Sequence, residues 1–265
     1  MAGKDLRWLM EHRAGELLGH APAQQGRFPL LVKLLDAREK LSLQVHPPAE
    51  RAAELAGEPK TEMWYIADAA PDAELYVGLR PGATRQEFEN KIQSGTVAEC
   101  FHRIHVRAGD AMFLPSGRVH AVGSGLVIFE IQQNSDTTYR VFDWNRKGLD
   151  GKPRQLHIPE SLASIDFEDF APKLVPHEYR ELNGIKRRPL VNDPLFKVEA
   201  LTVSQRSSLT LDSKLRIIGL VEGQASVTGG GQSIRLTKGQ FGLVPAWVKS
   251  ELVLEPSTTL LLAEI

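Results

Sequence analysis

Leu41-Ser42-Leu43-Gln44-Val45-His46-Pro47-Pro48 alternates apolar and polar residues strictly from Leu41 to His46. A period of two is that of a β-strand, so Ser42, Gln44 and His46 share one face. Pro47 then ends the ladder. Gln-x-His sets an amide oxygen and an imidazole side by side on a stiff element, and such a face either meets water or grips a cation. Glu62 follows 16 positions after His46, and His120 stands just after a Gly-Asp…Pro-Ser-Gly turn. Gln44, His46, Glu62 and His120 form a candidate four-ligand set.

Two imidazoles, one carboxylate and one neutral oxygen suit a borderline divalent ion such as Zn²⁺. Gln is the least usual member. The separations are long, with no zinc-finger or His-Glu-x-x-His spacing, so the four also read as polar groups satisfied by their neighbours. A barrel interior is what could bring separate strands onto one ion.

The chain of 265 residues is 42% hydrophobic, enough for one large or two small globular domains. A net charge of −1, with both signs interspersed, leaves no footprint for nucleic acid or a membrane surface. The one cysteine, Cys100, forms no internal disulfide and fits a reducing cytoplasm, where it is expected to be inert packing. No apolar run approaches the ~20 residues that span a bilayer. The first residues show no secretory h-region.

Residues 4–18 read as an amphipathic helix burying Leu6, Leu9, Met10, Leu17 and Leu18. Phe28–Asp36 reads as a buried strand feeding Leu41–His46. Ala49–Ala56 is a short helix. Lys60–Asp68 and Ala73–Leu79 are strands, and Thr84 with Glu87 makes a capping box for a helix over Arg85–Ser94. Short extended runs follow at Ile104–Arg107, Met112–Leu114, Val119–Val122, Leu126–Gln133 and Thr137–Trp144. Asn145–Ile158 reads as an exposed loop, and the proline-bearing stretch 159–190 as an irregular connection. Strands return from Phe196 to Thr259–Ala263. Many short strands with turns every 8–12 residues argue a β-sandwich or barrel. The second half echoes the first: Gly109…Pro115 and Gly239…Pro245 frame similar apolar strands. Five residues on stand His120 in one and Ser250 in the other, so the second half is expected to lack imidazole ligands.

Other polar residues suggest a substrate. Lys60, Arg140 and Arg146 could converge on an anion such as a phosphate, or each could be a solvated surface charge. Arg140 is the best placed, alternating with apolar neighbours after the turn at residues 134–138. Glu130, between apolar neighbours on Leu126–Gln133, is suited to proton transfer or to a salt bridge. His102 and His105 read as surface residues. His12, His20, His157 and His177 have no supporting context.

The segments Phe28-Pro-Leu-Leu-Val-Lys-Leu-Leu-Asp36, Leu41–Pro47, Lys60-Thr-Glu-Met-Trp-Tyr65, Gly109-Asp…Pro115-Ser-Gly-Arg-Val-His-Ala121 and Ser135-Asp-Thr-Thr-Tyr-Arg140 resemble the type I mannose-6-phosphate isomerases, in their short bacterial form. The resemblance runs through residues 28–146 and implies a mainly β chain of two cupin-type (jelly-roll) barrels with a few short helices. Residues 1–158 would be the metal-binding catalytic domain, 159–190 a connecting segment, and 191–265 a metal-free, cupin-like domain. The family's ligands to one Zn²⁺ fall on Gln44, His46, Glu62 and His120, its active-site carboxylate on Glu130 and its arginine on Arg140. Ser42, Lys60 and Arg146 fall where substrate-contacting groups stand, with Lys60 or Glu130 as the base. The implied reaction interconverts mannose 6-phosphate and fructose 6-phosphate in the cytoplasm. A non-catalytic sugar-phosphate-binding cupin is the alternative, and an Fe²⁺ cupin oxygenase fits the ligand set less well. Family members carry a Trp-Gly-Gly stretch and a Gly-Glu-x-Trp strand before the first helix. This chain begins at about that helix, so either its N-terminus is truncated or the barrel closes without those strands, with an open edge expected.

Overall fold

The computed structural model describes residues 3–24, 26–147 and 151–265. The chain divides into two compact units: Leu31–Val175, and the residues up to Leu30 together with Pro176–Ile265. Both are mainly β, as expected. No helix among the described residues is long and apolar enough to cross a membrane.

In the chain's first helix, α1 (Leu6–Leu18), Asp5 caps Trp8 N–H and Arg13 breaks the helical backbone. The kink interrupts the expected apolar stripe: Leu17 and Leu18 are buried, but Leu6 is exposed. Among its described residues the Leu31–Val175 unit is built on nine strands. These are β1 (Leu30–Ala37), β2 (Leu43–Val45), β3 (Glu62–Ala69), β4 (Glu74–Leu79), β5 (Phe101–His105), β6 (Ala111–Leu114), β7 (His120–Val122), β8 (Leu126–Gln133) and β9 (Tyr139–Phe142). Helices α2 (Ala49–Ala52), α3 (Arg85–Ser94) and α4 (Ile158–Ser164) accompany them. The strands form a sheet ordered β1-β8-β3-β6 and another ordered β5-β4-β7-β2-β9.

One core contains Trp64 and Ile66 of β3, Met112 and Leu114 of β6, Ile128 of β8, and Leu75, Val77 and Val122 of the second sheet. The opposite face of the five-stranded sheet carries Leu43, Val45, Ala121 and Val141, packed with Phe88 of α3 and Leu162 of α4. The alternation of Leu41–His46 therefore has an unusual meaning. Its apolar side chains meet a helical layer, and its polar ones share the inter-sheet side with His120.

The other unit carries β10 (Arg180–Leu182), β11 (Ile185–Asn192), β12 (Lys197–Val203), β13 (Ser207–Leu211), β14 (Arg216–Glu222), β15 (Gln224–Gly229), β16 (Gln232–Thr237), β17 (Phe241–Val244), β18 (Ser250–Leu254) and β19 (Thr258–Glu264). They make two sheets, β10-β11-β12-β19-β14-β17 and β13-β18-β15-β16, around Leu201, Ile218, Leu220, Leu252, Leu254 and Leu260. The echo in sequence is an echo in structure. Ala111–Leu114 and Phe241–Val244 each run into a turn in which Pro115 or Pro245 accepts an N–H three residues on. The strands that follow start at His120 and Ser250.

The stretch expected to be irregular holds α4, β10 and the start of β11. Pro159 sits in the first turn of α4, where its missing N–H leaves no helical bond unmade. Pro189 coincides with a bulge in β11. Prolines read as breakers here mark an element's start and a local irregularity. Within the expected loop Asn145–Ile158, positions 148–150 lie outside the described residues.

Candidate metal centre

Strand register assembles the site. Gln44 on β2 pairs with His120 on β7 and with Arg140 on β9, so the three side chains form one row across the sheet. From the facing sheet, Glu62 opens β3 and Glu130 on β8 is registered to Trp64. His46 follows β2 directly, and its carbonyl accepts the N–H of Gly117 at 2.9 Å. Gly117 turns the chain with φ 92°, a conformation that favours glycine, just before His120.

Potential ligand atoms of His46, Glu62 and His120 lie within 4.8 Å of one another, and all three residues are buried. His46 Nδ1–H donates to the Thr137 carbonyl at 2.7 Å, and His120 Nδ1–H donates to the Arg118 carbonyl at 2.9 Å. A carbonyl can only accept, so in the neutral form of either ring Nδ1 carries the proton and Nε2 the lone pair. Those lone pairs face the Glu62 carboxylate, at 3.6 Å for His46 and 3.2 Å for His120. Both Glu62 oxygens are buried without a well-formed hydrogen bond, although Lys60 Nζ approaches one to 3.0 Å. Acceptors facing acceptors in a dry interior repel one another, and Lys60 Nζ, which also lies 3.4 Å from His46 Nε2, offsets this only on the His46 side of the cluster. The donor set therefore fits a divalent metal. Gln44 presents Nε2 to His120 at 3.2 Å, and turning its amide over offers Oε1 as a fourth donor.

The electrostatics agree with that tautomer. Burial lowers the His46 pKa to about 4, outweighing the pull of Glu62, so the ring is neutral. Burial alone would raise the Glu62 carboxyl; the Lys60 ammonium beside it leads the groups that hold it well below the usual carboxylate range. Burial works to lower Lys60, but Glu62 and Glu130 raise it further, so Lys60 is an ammonium.

The structure brings some of the other expected residues to this centre and not Arg146. Ser42 is buried and donates to Gln44 Oε1 at 3.4 Å. Glu130 accepts from Lys33 Nζ at 2.8 Å and from Trp64 Nε1 at 3.0 Å. Trp64 also sets its ring edge-to-face against His120, 5.2 Å between centroids. Arg140 donates through Nη1 to the Gln155 carbonyl at 3.2 Å, and its buried Nε has no hydrogen-bond partner among the described residues. Arg146 is turned onto Asp143. Cys100 is buried, and burial pushes its thiol up to about 11, in keeping with inert packing. His102 is half-buried and His105 exposed.

Lys33 was within reach of sequence reasoning. It is the lone charge inside the apolar run Phe28–Leu35, and it also bonds Gln132 at 2.5 Å. His157 carried no local signal; its Nδ1 accepts the Arg140 N–H at 3.2 Å. Asp143, gripped by Arg146 and Arg154, is visible only in three dimensions.

Asp143 gives a pH test. Burial works to raise its carboxyl, but Arg154 and Arg146 outweigh burial, and the net shift is downward. A depressed folded pKa adds stability above the unfolded value of about 3.9, and that stability is lost as pH falls through the lower folded value. Asp143→Asn is therefore expected to melt below wild type at neutral pH, with the gap closing below about pH 4. A gap of constant size across the acid range would contradict the pairing.

Comparison with known proteins follows the same lines. The pattern of the family described as "Phosphomannose isomerase type I, catalytic domain" matches residues 6–91. Mannose-6-phosphate isomerase ManA of Bacillus subtilis is 36% identical over 239 residues, spanning 88% of this chain and 72% of that protein. The mannose-6-phosphate isomerase of Streptococcus mutans is 36% identical over 241 residues, 91% of this chain and 74% of that one. The crystal structure of the Bacillus subtilis mannose 6-phosphate isomerase superposes with a TM-score of 0.88 at 30% identity, covering 99% of this chain and 82% of that one. On the identity to these relatives and the share of their length it spans, the chain belongs to the type I mannose-6-phosphate (phosphomannose) isomerase family.

Proposed function

We propose that this chain is a Zn²⁺-dependent aldose–ketose isomerase that interconverts mannose 6-phosphate and fructose 6-phosphate by moving a proton between C2 and C1. The observation that carries the reading is the dry set of acceptors, with two Nε2 lone pairs converging on the Glu62 carboxylate. His46, Glu62, His120 and Gln44 would hold the ion, which supplies Lewis-acid polarisation of sugar oxygens.

The proton is handled by the chain's own groups. Glu130 is the base in this reading, because Lys60 is held protonated and cannot accept. The C2–H electron pair moves into a C1–C2 double bond as the C1 carbonyl oxygen gains a proton, giving an enediol. Return of the proton to C1, with loss of the proton on the C2 oxygen, gives the ketose. Lys60, a buried ammonium, would stabilise negative charge developing on those oxygens. Lys33 and Trp64 orient the Glu130 carboxylate. Arg140, in the same row as Gln44, stands where the rest of the sugar phosphate would extend.

The test is mannose 6-phosphate turnover in a coupled assay on the protein as purified, after chelation, and after Zn²⁺ is returned. Activity should vanish on chelation and come back with zinc. Turnover that survives complete metal removal would sink the metal assignment. Absence of turnover from folded, zinc-loaded protein would sink the isomerase reading.

A further inference from the structure

Arg154 lies in the stretch expected to be an exposed loop, yet it is tied to the site. Its Nε and Nη2 fork onto Asp143, at 2.7 Å and 2.5 Å, so Nη1 stays outside that fork. Arg146 binds the same carboxylate. One anionic side chain thus meets two guanidinium groups, and a third, Arg140, stands close by. Arg140 is bonded to this stretch at three points. Its N–H donates to His157 Nδ1, its carbonyl accepts from His157 N–H, and its Nη1 donates to the Gln155 carbonyl. The segment Arg154–His157 is therefore tied to β9 at Arg140, at the end of the row His120–Gln44–Arg140.

The charge balance along this row is uneven. Arg140 is half-buried, and its Nε is a buried donor without an acceptor among the described residues. Burial and then the neighbouring Arg154 both work against its positive charge. Two like charges drawn together in a partly dry place, one of them carrying a donor with no partner among the described residues, are suited to an oxyanion. Asp143 holds Arg154 in place without neutralising the cluster, since it is shared with Arg146. A hexose whose C1–C2 end lies at the zinc cluster carries its 6-phosphate away along this row.

We propose that Arg154 is a phosphate-binding, specificity-determining residue, which together with Arg140 makes the site select the 6-phosphorylated sugar over the free sugar. The inference rests on the isomerase reading for the identity of the sugar, but its test does not need turnover. Binding of glucitol 6-phosphate, which has no carbonyl to isomerise, and of unphosphorylated glucitol is measured by calorimetry on zinc-loaded wild type, Arg154→Ala and Arg154→Lys. Removing a charge-assisted contact from Nη1 weakens binding of the phosphate by ~10-fold or more. Arg154→Ala should therefore lose at least that factor for glucitol 6-phosphate, with no change for glucitol or zinc content, and a lower melting temperature because Asp143 loses a partner. Arg154→Lys keeps the charge without the fork and should fall between.

A merely structural role would weaken both ligands together, and that result overturns the proposal. Equal binding of glucitol 6-phosphate by wild type and Arg154→Ala overturns it as well, leaving the isomerase reading intact. The selective loss in a protein that never turns over mannose 6-phosphate would support Arg154 as a phosphate ligand while rejecting the isomerase reading.

Discussion

Glu62→Gln is expected to yield a folded protein that no longer retains zinc and has lost more than ~10³-fold in kcat/KM, the scale set by removing a pre-organised electrostatic group. The substitution keeps side-chain volume and removes the one anion of the cluster. Disturbing only the outer partners of a metal ligand costs ~10–100-fold in affinity, so loss of the ligand's charge should exceed that. Glu62 also has a second partner, Lys60, 3.0 Å from its carboxylate, and both side chains are buried. Removing one member of a buried pair typically costs ~3–5 kcal/mol, because the other charge stays behind. The variant should therefore melt early even without metal. The double variant Glu62→Gln/Lys60→Met separates the two effects: stability should return, zinc should not. Atomic absorption after dialysis, beside thermal melts of the three proteins, makes the check. A Glu62→Gln protein that still holds one zinc per chain at wild-type affinity would show that Glu62 is no ligand.

Why these residues were legible in the sequence is a matter of range. Gln44, His46 and their apolar neighbours obey a period of two, and a strand turns that period into a face with no outside information. The Thr84 cap and the helix Arg85–Ser94 were legible for the same reason, since the cap bond runs only from Glu87 N–H back to Thr84. His120 was marked by the turn before it. What stayed hidden depends on pairs far apart in sequence. Lys33 meets Glu130 across 97 residues, so the apolar run marks its ammonium as unusual but cannot name its partner. Arg154 and His157 look like loop residues until β9 recruits the segment that carries them. Local rules misled where they name what an element avoids. Pro159 sits in the first turn of α4, and the apolar positions of α1 miss a common face because the helix kinks at Arg13.

The choice of base is the point on which residue identity alone was silent, since Lys60 and Glu130 both suit proton transfer. In the reading proposed above, charge separates them. Lys60 faces Glu62 and feels Glu130, and the two carboxylates keep it an ammonium. Glu130 has no metal-ligand atom in contact; its oxygens take one bond each from Lys33 and Trp64. A carboxylate with a donor at each oxygen is fixed in direction and keeps further lone pairs for a substrate proton. Glu130→Gln should thus lower kcat by ~10²–10⁴-fold, the range for loss of a general base, with zinc content and glucitol 6-phosphate affinity unchanged. The amide cannot accept at both ends, so either Lys33 or Trp64 is left facing an NH₂ group. That mismatch should cost about 1–3 kcal/mol of stability, small enough to leave a folded enzyme. Exchange of the C2 hydrogen of mannose 6-phosphate with deuterium oxide, followed by NMR, reads the proton step directly. Exchange should be slowed in Glu130→Gln as strongly as turnover is. If exchange persists in Glu130→Gln and disappears in Lys60→Met, Lys60 is the base, and its ammonium state in the metal-free protein is not the one that reacts.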